Sequence, residues 1–76
     1  MSKPVEPIYS LFGNRVFQIR EVLGLTQEEL SAKVGLDRTS IASIEAGRQR
    51  VLLHDLEKFA KAFGMSPVKF MKGIWL

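Results

Sequence analysis

The chain of 76 residues contains no cysteine and a single histidine, His54. Disulfides and thiolate metal sites are therefore excluded, and one imidazole gives little basis for any other metal site, so we expect neither metal nor cofactor. No apolar run reaches the length of a membrane span, and the N-terminus lacks the basic-then-apolar layout of a signal peptide. We therefore expect a cytoplasmic protein that does not contact a membrane.

Groups suited to catalysis are also scarce. No nucleophile–base pair and no pair of carboxylates occurs at a meaningful spacing, so we expect no enzymatic activity. Hydrophobic residues make up 46% of the chain, which is enough for one small helical core. The net charge of +3 mildly favours nucleic acid as a partner and is a weak argument by itself.

Apolar spacing predicts five short helices, with no strand pattern and no internal repeat. Residues 1–7 carry two prolines and no periodicity, so we expect a flexible arm, followed by one domain over residues 8–76. The first helix should begin at Ile8 or Tyr9 and end near Leu23. The fourth should span about Leu53 to Phe63, and the fifth should open at Ser66-Pro67. The expected buried positions of the first and fourth helices are Phe12, Val16, Ile19, Leu23, Leu56, Phe59, Ala60 and Phe63.

Two short helices in the centre carry the clearest capping signals. Thr26 and Glu29 have the spacing of a capping box, and Gly35 can end that helix in the left-handed conformation. Asp37 is a suitable N-cap for the next helix, which should end at Gly47. Two short helices joined by a tight turn can place the second one in the major groove of DNA.

The second of these helices has an apolar side and a side of small polar groups. Ile41 and Ile44 share the apolar side, and the opposite side carries Arg38, Thr39, Ala42 and Ser43. An arginine can contact guanine with two hydrogen bonds, and hydroxyl groups can donate to or accept from base edges. This side can therefore approach a nucleic acid closely.

The run GNRVFQIREVLGLTQEELSAKVGLDRTSIASIEAGRQR, continued by LEKFAKAFGMS, resembles the phage repressor/Cro (XRE-type) family of helix-turn-helix DNA-binding domains. The resemblance covers about residues 10–71. It implies an all-α fold: a compact five-helix, lambda-repressor-like domain with the helix-turn-helix in helices 2 and 3. It also implies a sequence-specific transcriptional regulator of double-stranded DNA, with a recognition helix at about residues 38–46 in the major groove.

The resemblance assigns roles to individual positions. Those that match base-contacting residues of the family are Arg38, Thr39 and Ser43. Those expected at DNA phosphates are Gln27, Ser40, Arg48, Gln49 and Arg50, with Asn14 and Arg15 as weaker candidates. For each of these positions the alternative is an ordinary solvated surface. Arg20 and Glu45 are instead expected to form a structural salt bridge that fixes the angle of the recognition helix.

Two departures from the family pattern affect the scaffold. Ser31 stands where the family usually has alanine, and its hydroxyl should bond to a nearby carbonyl if the packing of the second helix is to survive. Val51-Leu52 occupies the loop where a serine cap is common, so the fourth helix lacks a side-chain N-cap. Neither change threatens the predicted fold.

The C-terminal segment Ile74-Trp75-Leu76 is unusually apolar for a chain end. It either folds back onto the core or forms an exposed interface, and we expect a homodimer through the last helices. An alternative function is an antitoxin or interaction module whose main partner is another protein. The sequence leaves open the operator, the direction of regulation, and the choice among phage repressor, restriction–modification controller, antitoxin and host regulator.

Overall fold

The computed structural model describes residues 7–75, except for the side chain of Trp75. This part of the chain contains five helices and no strand, and the all-α prediction is confirmed. The helices are α1 (Pro7–Val22), α2 (Gln27–Val34), α3 (Arg38–Glu45), α4 (Leu53–Ala62) and α5 (Pro67–Trp75). None of them is long and apolar enough to cross a membrane.

Local side-chain caps define the central helices. The Thr26 hydroxyl accepts from the backbone N–H of Glu29 at 3.0 Å, and the Glu29 carboxylate accepts from the backbone N–H of Thr26 at 2.8 Å. Asp37 accepts from the backbone N–H of Ser40 at 2.7 Å at the start of α3. Gly35 ends α2 with a φ of 76°, which favours glycine. The predicted ends of both helices are therefore set by the residues expected to cap them.

The outer helices differ slightly from their predicted bounds. Helix α1 begins at Pro7, a residue that the sequence placed in the arm, because proline is well tolerated in a first helical turn. The rest of that arm lies outside the described residues. Helix α4 has no side-chain hydrogen bond at its N-cap, Leu52, as expected from the sequence.

Four phenylalanines form the centre of the core. The ring of Phe12 meets those of Phe59 and Phe70 edge to face, with centroids 5.7 and 5.4 Å apart. Phe63 packs against Phe59 and Phe70 with tilted rings. The other buried apolar side chains come from all five helices: Val16, Ile19, Leu30, Val34, Ile41, Ile44, Ala60 and Ile74. Two residues expected in the core are not part of its buried centre: Leu56 is only partly buried, and Leu23 is 50% exposed.

Ile74, the first residue of the apolar C-terminal segment, does not contribute to the exposed patch considered from the sequence. Ile74 is buried in the core cluster, because α5 packs against α1 and α4 and turns this residue inward. Leu76 and the side chain of Trp75 lie outside the described part of the chain. Ile74 is therefore not available for the predicted contact between two copies of the chain.

Glycines let α1 approach α3 closely. A Cβ atom on Gly13 would overlap the carbonyl oxygen of Ile44, and a Cβ on Gly47 would lie 2.7 Å from the Ser10 hydroxyl. Gly47 also has a φ of 73°. On the other side of α3, Ser31 of α2 is buried and donates to the carbonyl of Glu28 at 2.7 Å, so its hydroxyl is satisfied. Helix α3 is therefore held between α1 and α2.

Candidate nucleic-acid interface

Helix α3 presents one side to the core and one side to solvent. Ile41 and Ile44 are fully buried, which fixes the rotation of the helix about its own axis. Arg38 and Thr39 are exposed, and Ser43 is half-buried one turn further along the same side as Thr39. The structure thus brings together on one surface the three residues that the sequence proposed for base contacts.

The C-terminal end of α3 is held by an ion pair to α1. Arg20 donates from Nε to Glu45 Oε2 at 2.6 Å and from Nη2 to Glu45 Oε1 at 3.1 Å. Both side chains are nearly inaccessible, with 9% of Arg20 and 7% of Glu45 exposed. The hydrogen bonds from this guanidinium to Glu45 raise the pKa of Arg20 above its ordinary value. Two parallel hydrogen bonds fix direction as well as distance, so this pair restrains the end of α3.

The same arginine also holds the connection between α1 and α2. Its Nη1 donates to the carbonyl oxygen of Leu25 at 2.8 Å and to Glu21 Oε2 at 3.3 Å. Leu25 directly precedes Thr26, the N-cap of α2. Arg20 therefore links three parts of the scaffold: α1, the start of α2 and the end of α3.

Gln27, the first residue of α2, joins this network. Its Nε2 donates to Glu45 Oε1 at 3.0 Å, on the oxygen that also accepts from Arg20 Nη2. The side chain is half-buried, so part of it remains accessible. The sequence suggested a phosphate contact for Gln27 but gave no indication of this bond, because the partner lies on another helix.

The basic loop after α3 lies at the surface. Arg48 and Arg50 are exposed, and Gln49 is half-buried. The backbone N–H of Arg48 donates to the carbonyl of Ser43 at 3.0 Å, which anchors the start of the loop to α3. These side chains extend the polar surface beyond the end of the helix.

Ser40 lies at the opposite end of α3, where the helix begins. Its backbone N–H donates to the Asp37 carboxylate, and this bond lowers the pKa of Asp37 below its ordinary value. The residue is half-buried. Its position beside Arg38 and Thr39 puts it at the edge of the same surface.

Arg15, one of the weaker phosphate candidates from the sequence, makes several contacts within the protein. Its Nε donates to the carbonyl oxygen of Phe70 at 3.0 Å, and its Nη2 to that of Lys69 at 3.3 Å. The guanidinium also lies 5.9 Å from the centre of the Phe70 ring. These contacts attach Arg15 to α5, and a phosphate contact by Arg15 or by the exposed Asn14 stays a prediction.

Two scaffold contacts near this surface could not be found by sequence reasoning. Gly13 has no side chain and lies within α1, so the sequence does not indicate which part of the protein packs against it. The bond from Gln27 to Glu45 spans 18 positions, and no local pattern predicts it. Both depend on how α1 and α2 are placed against α3.

Comparison with known protein families agrees with this architecture. A helix-turn-helix family model matches residues 16–70, a segment that contains α2, the turn over residues 35–37 and α3. The chain belongs to the XRE-type helix-turn-helix family of DNA-binding transcriptional regulators. The protein-interaction alternative is not favoured.

Several proteins that are similar to this chain are named as control or controller proteins. The chain is 43% identical to the control protein C.BamHI of Bacillus amyloliquefaciens over 58 residues, which cover 75% of this chain and 72% of that protein. The structure of this chain is similar to that of the restriction–modification controller protein C.Esp1396I, with a TM-score of 0.81 and 33% sequence identity. The match covers 88% of this chain and 87% of the other. The controller C.AhdI from Aeromonas hydrophila gives a TM-score of 0.77 and 34% identity, covering 82% of this chain and 94% of its own.

Proposed function

We propose that the chain is a restriction–modification controller that binds specific double-stranded DNA as a homodimer, with α3 in the major groove of each half-site. The observation that most strongly supports DNA binding is the chemistry of the solvent-facing side of α3. This side has small polar residues and one arginine, while the opposite side and the C-terminal end are held rigidly. The names of the similar control proteins support the biological role.

The proposed base contacts are Arg38, Thr39 and Ser43. In helix-turn-helix proteins the N-terminal part of the recognition helix meets the base edges, and Arg38 and Thr39 occupy the first turn of α3. Arg38 can donate to guanine with two N–H groups, and Thr39 can add a hydroxyl bond or a methyl contact with thymine. Ser43, one turn later, provides a third group along the groove.

The proposed phosphate contacts flank that helix. Gln27 lies at the N-terminus of α2, where backbone N–H groups and the helix dipole favour an anion. Ser40 lies at the start of α3, and the loop after α3 contributes Arg48, Gln49 and Arg50. Such contacts supply affinity that is largely independent of sequence, so binding should weaken steeply as salt is added.

A second copy of the chain is the proposed partner at an apolar surface at the start of α4. Leu52 and Leu53 are exposed there. Together with Leu56 and Met71 they line an apolar groove. A twofold dimer would place two copies of α3 about 34 Å apart on one face of the DNA. In this proposal the dimer contact uses this surface instead of the buried Ile74. The proposed location is the cytoplasm, because the partner is DNA.

Selection of bound duplexes from a random pool tests this function. We expect enrichment of one consensus, with two inverted half-sites separated by about one helical turn. Replacing Arg38, Thr39 and Ser43 together by alanine should abolish enrichment but leave weak binding to any duplex. A wild-type protein that enriches no sequence would contradict the proposal.

A further inference from the structure

Gln27 connects the proposed phosphate anchor to the end of the recognition helix. Its amide donates to Glu45, the last residue of α3, while it lies itself at the first position of α2. We propose that Gln27 is a positioning residue that couples a bound DNA phosphate to the placement of α3, and thereby increases discrimination between sequences more than affinity for DNA in general. This inference rests on the proposed function.

The chemistry of the pair fixes the orientation of the amide. An ionised carboxylate can only accept hydrogen bonds, so Gln27 must turn its NH₂ group and not its carbonyl oxygen toward Glu45. One N–H is then engaged with Oε1. The second N–H remains for another acceptor, and a phosphate oxygen is an acceptor of the right charge. Glu45 thus preorients the group that would hold the phosphate.

The network makes this orientation depend on α3. Glu45 Oε1 accepts from both Gln27 and Arg20, and its other oxygen accepts from Arg20 Nε. A shift of the end of α3 would therefore move the acceptor that orients the Gln27 amide. At their other ends, α2 and α3 are joined by the short turn over residues 35–37. The two helices are consequently coupled at both ends.

Specific and non-specific complexes should use this coupling differently. On a specific site, the base contacts of α3 and the phosphate contact of Gln27 must form at the same time, so a fixed relation between them favours binding. On random DNA the base contacts are missing, and exposed cations such as Arg48 and Arg50 supply the attraction. Loss of the coupling should therefore weaken the specific complex more.

The test compares Gln27→Met with Gln49→Met. Both changes replace glutamine by a neutral side chain of similar length without hydrogen-bond donors. Gln49 serves as the matched control because it is also a proposed phosphate contact but lies in the loop after α3. Dissociation constants are measured by fluorescence anisotropy on the selected duplex and on a random duplex of equal length, over a series of salt concentrations.

We expect Gln27→Met to weaken binding to the selected duplex about tenfold, the size of one charge-assisted hydrogen bond, and binding to the random duplex less than threefold, on the order of one weak contact. Gln49→Met should weaken both by the same factor. Neither variant should change the slope of log Kd against log salt, because no charge is removed. Gln27→Asn, which keeps the amide but is one methylene too short to reach Glu45, should lose discrimination as Gln27→Met does.

Equal losses on both duplexes for Gln27→Met would overturn the coupling and leave an ordinary phosphate contact. Unchanged affinities would overturn it as well. Circular dichroism ensures that only folded protein is compared. If Gln27→Met does not fold, Gln27→Asn takes its place, and equal losses on both duplexes for that variant would overturn the coupling. A wild-type protein that binds all duplexes equally would overturn the proposed function, and the coupling with it.

Discussion

The backbone of Gly13 in α1 lies directly against the carbonyl group of Ile44 in α3. A Cβ atom on residue 13 would overlap that oxygen and lie 2.9 Å from the carbonyl oxygen of Glu45. Because the obstructing atoms belong to the backbone, they cannot move aside by a change of rotamer. Gly13 therefore sets the distance between α1 and the end of the recognition helix.

Gly13→Ala should destabilise the protein, although alanine is the better helix former. The helical preference of alanine would add about 1 kcal/mol of stability, whereas forced overpacking typically costs about 1–3 kcal/mol. We expect the packing cost to dominate, with a lower urea midpoint. Asn14→Ala, at the exposed neighbouring position, is the control and should change the midpoint little. A Gly13→Ala variant as stable as the wild type would show that α1 can move away without cost.

Arg20→Met should be strongly destabilising, because it leaves the buried Glu45 carboxylate without its cation. Removal of one partner of such a pair costs about 3–5 kcal/mol, and Glu45→Gln should also lower the melting temperature. Glu21→Gln is the matched control, since Glu21 is 58% exposed and its bond to Arg20 is a surface ion pair worth at most about 1 kcal/mol. Unchanged melting of both Arg20→Met and Glu45→Gln would exclude a stabilising role for the bridge.

Local signals account for most of what the sequence predicts correctly. Thr26, Gly35 and Asp37 act on backbone groups within a few positions, so their spacing alone locates α2 and α3. Ile74 was left undecided because its burial depends on how α5 lies on α1 and α4. The contacts of Arg15 could not be predicted for the same reason, since its acceptors are carbonyl groups 54 and 55 positions away. Contacts between distant helices require the assembled fold.

The cap of α3 should make stability depend on pH in the acid range. The hydrogen bonds from Ser40 lower the pKa of Asp37 in the folded protein. The charged cap therefore stabilises fully above the unfolded pKa of about 3.9, and its contribution is lost as the pH falls through the lower folded pKa. Asp37→Ala should lower the melting temperature at neutral pH, and its difference from the wild type should shrink below about pH 4.

Asp37→Asn is the control for that titration, because an amide oxygen can cap the helix without ionising. Its melting temperature should differ from that of Asp37→Ala by the same amount at every pH at which both are folded. Thermal melts between neutral pH and the acid range give both comparisons. A gap between the wild type and Asp37→Ala that stays constant with pH would contradict a role for the charged form.

The proposed dimer surface can be tested with one exposed leucine. Leu53 is 84% exposed in the first turn of α4, so Leu53→Glu should preserve the helix but introduce like charges across a twofold interface. Sedimentation at tens of micromolar, on the order of concentrations that populate a moderate dimer, should show a dimeric wild type and a monomeric variant. Val22→Glu, at an equally exposed (84%) position at the end of α1, is the control and should remain dimeric. A monomeric wild type would contradict the proposed homodimer.

Comparison of Arg38→Ala with Arg48→Ala on selected and random duplexes shows whether α3 reads the DNA sequence, because one arginine is assigned to a base and the other to a phosphate. Arg38→Ala should cost about 1–3 kcal/mol on the selected site and relax the preference at one base pair of each half-site. Arg48→Ala should weaken binding to all duplexes alike and reduce the salt slope by about 1. Equal losses on both duplexes for both variants, with an unchanged consensus, would contradict the assignment of α3 as the helix that reads the DNA sequence.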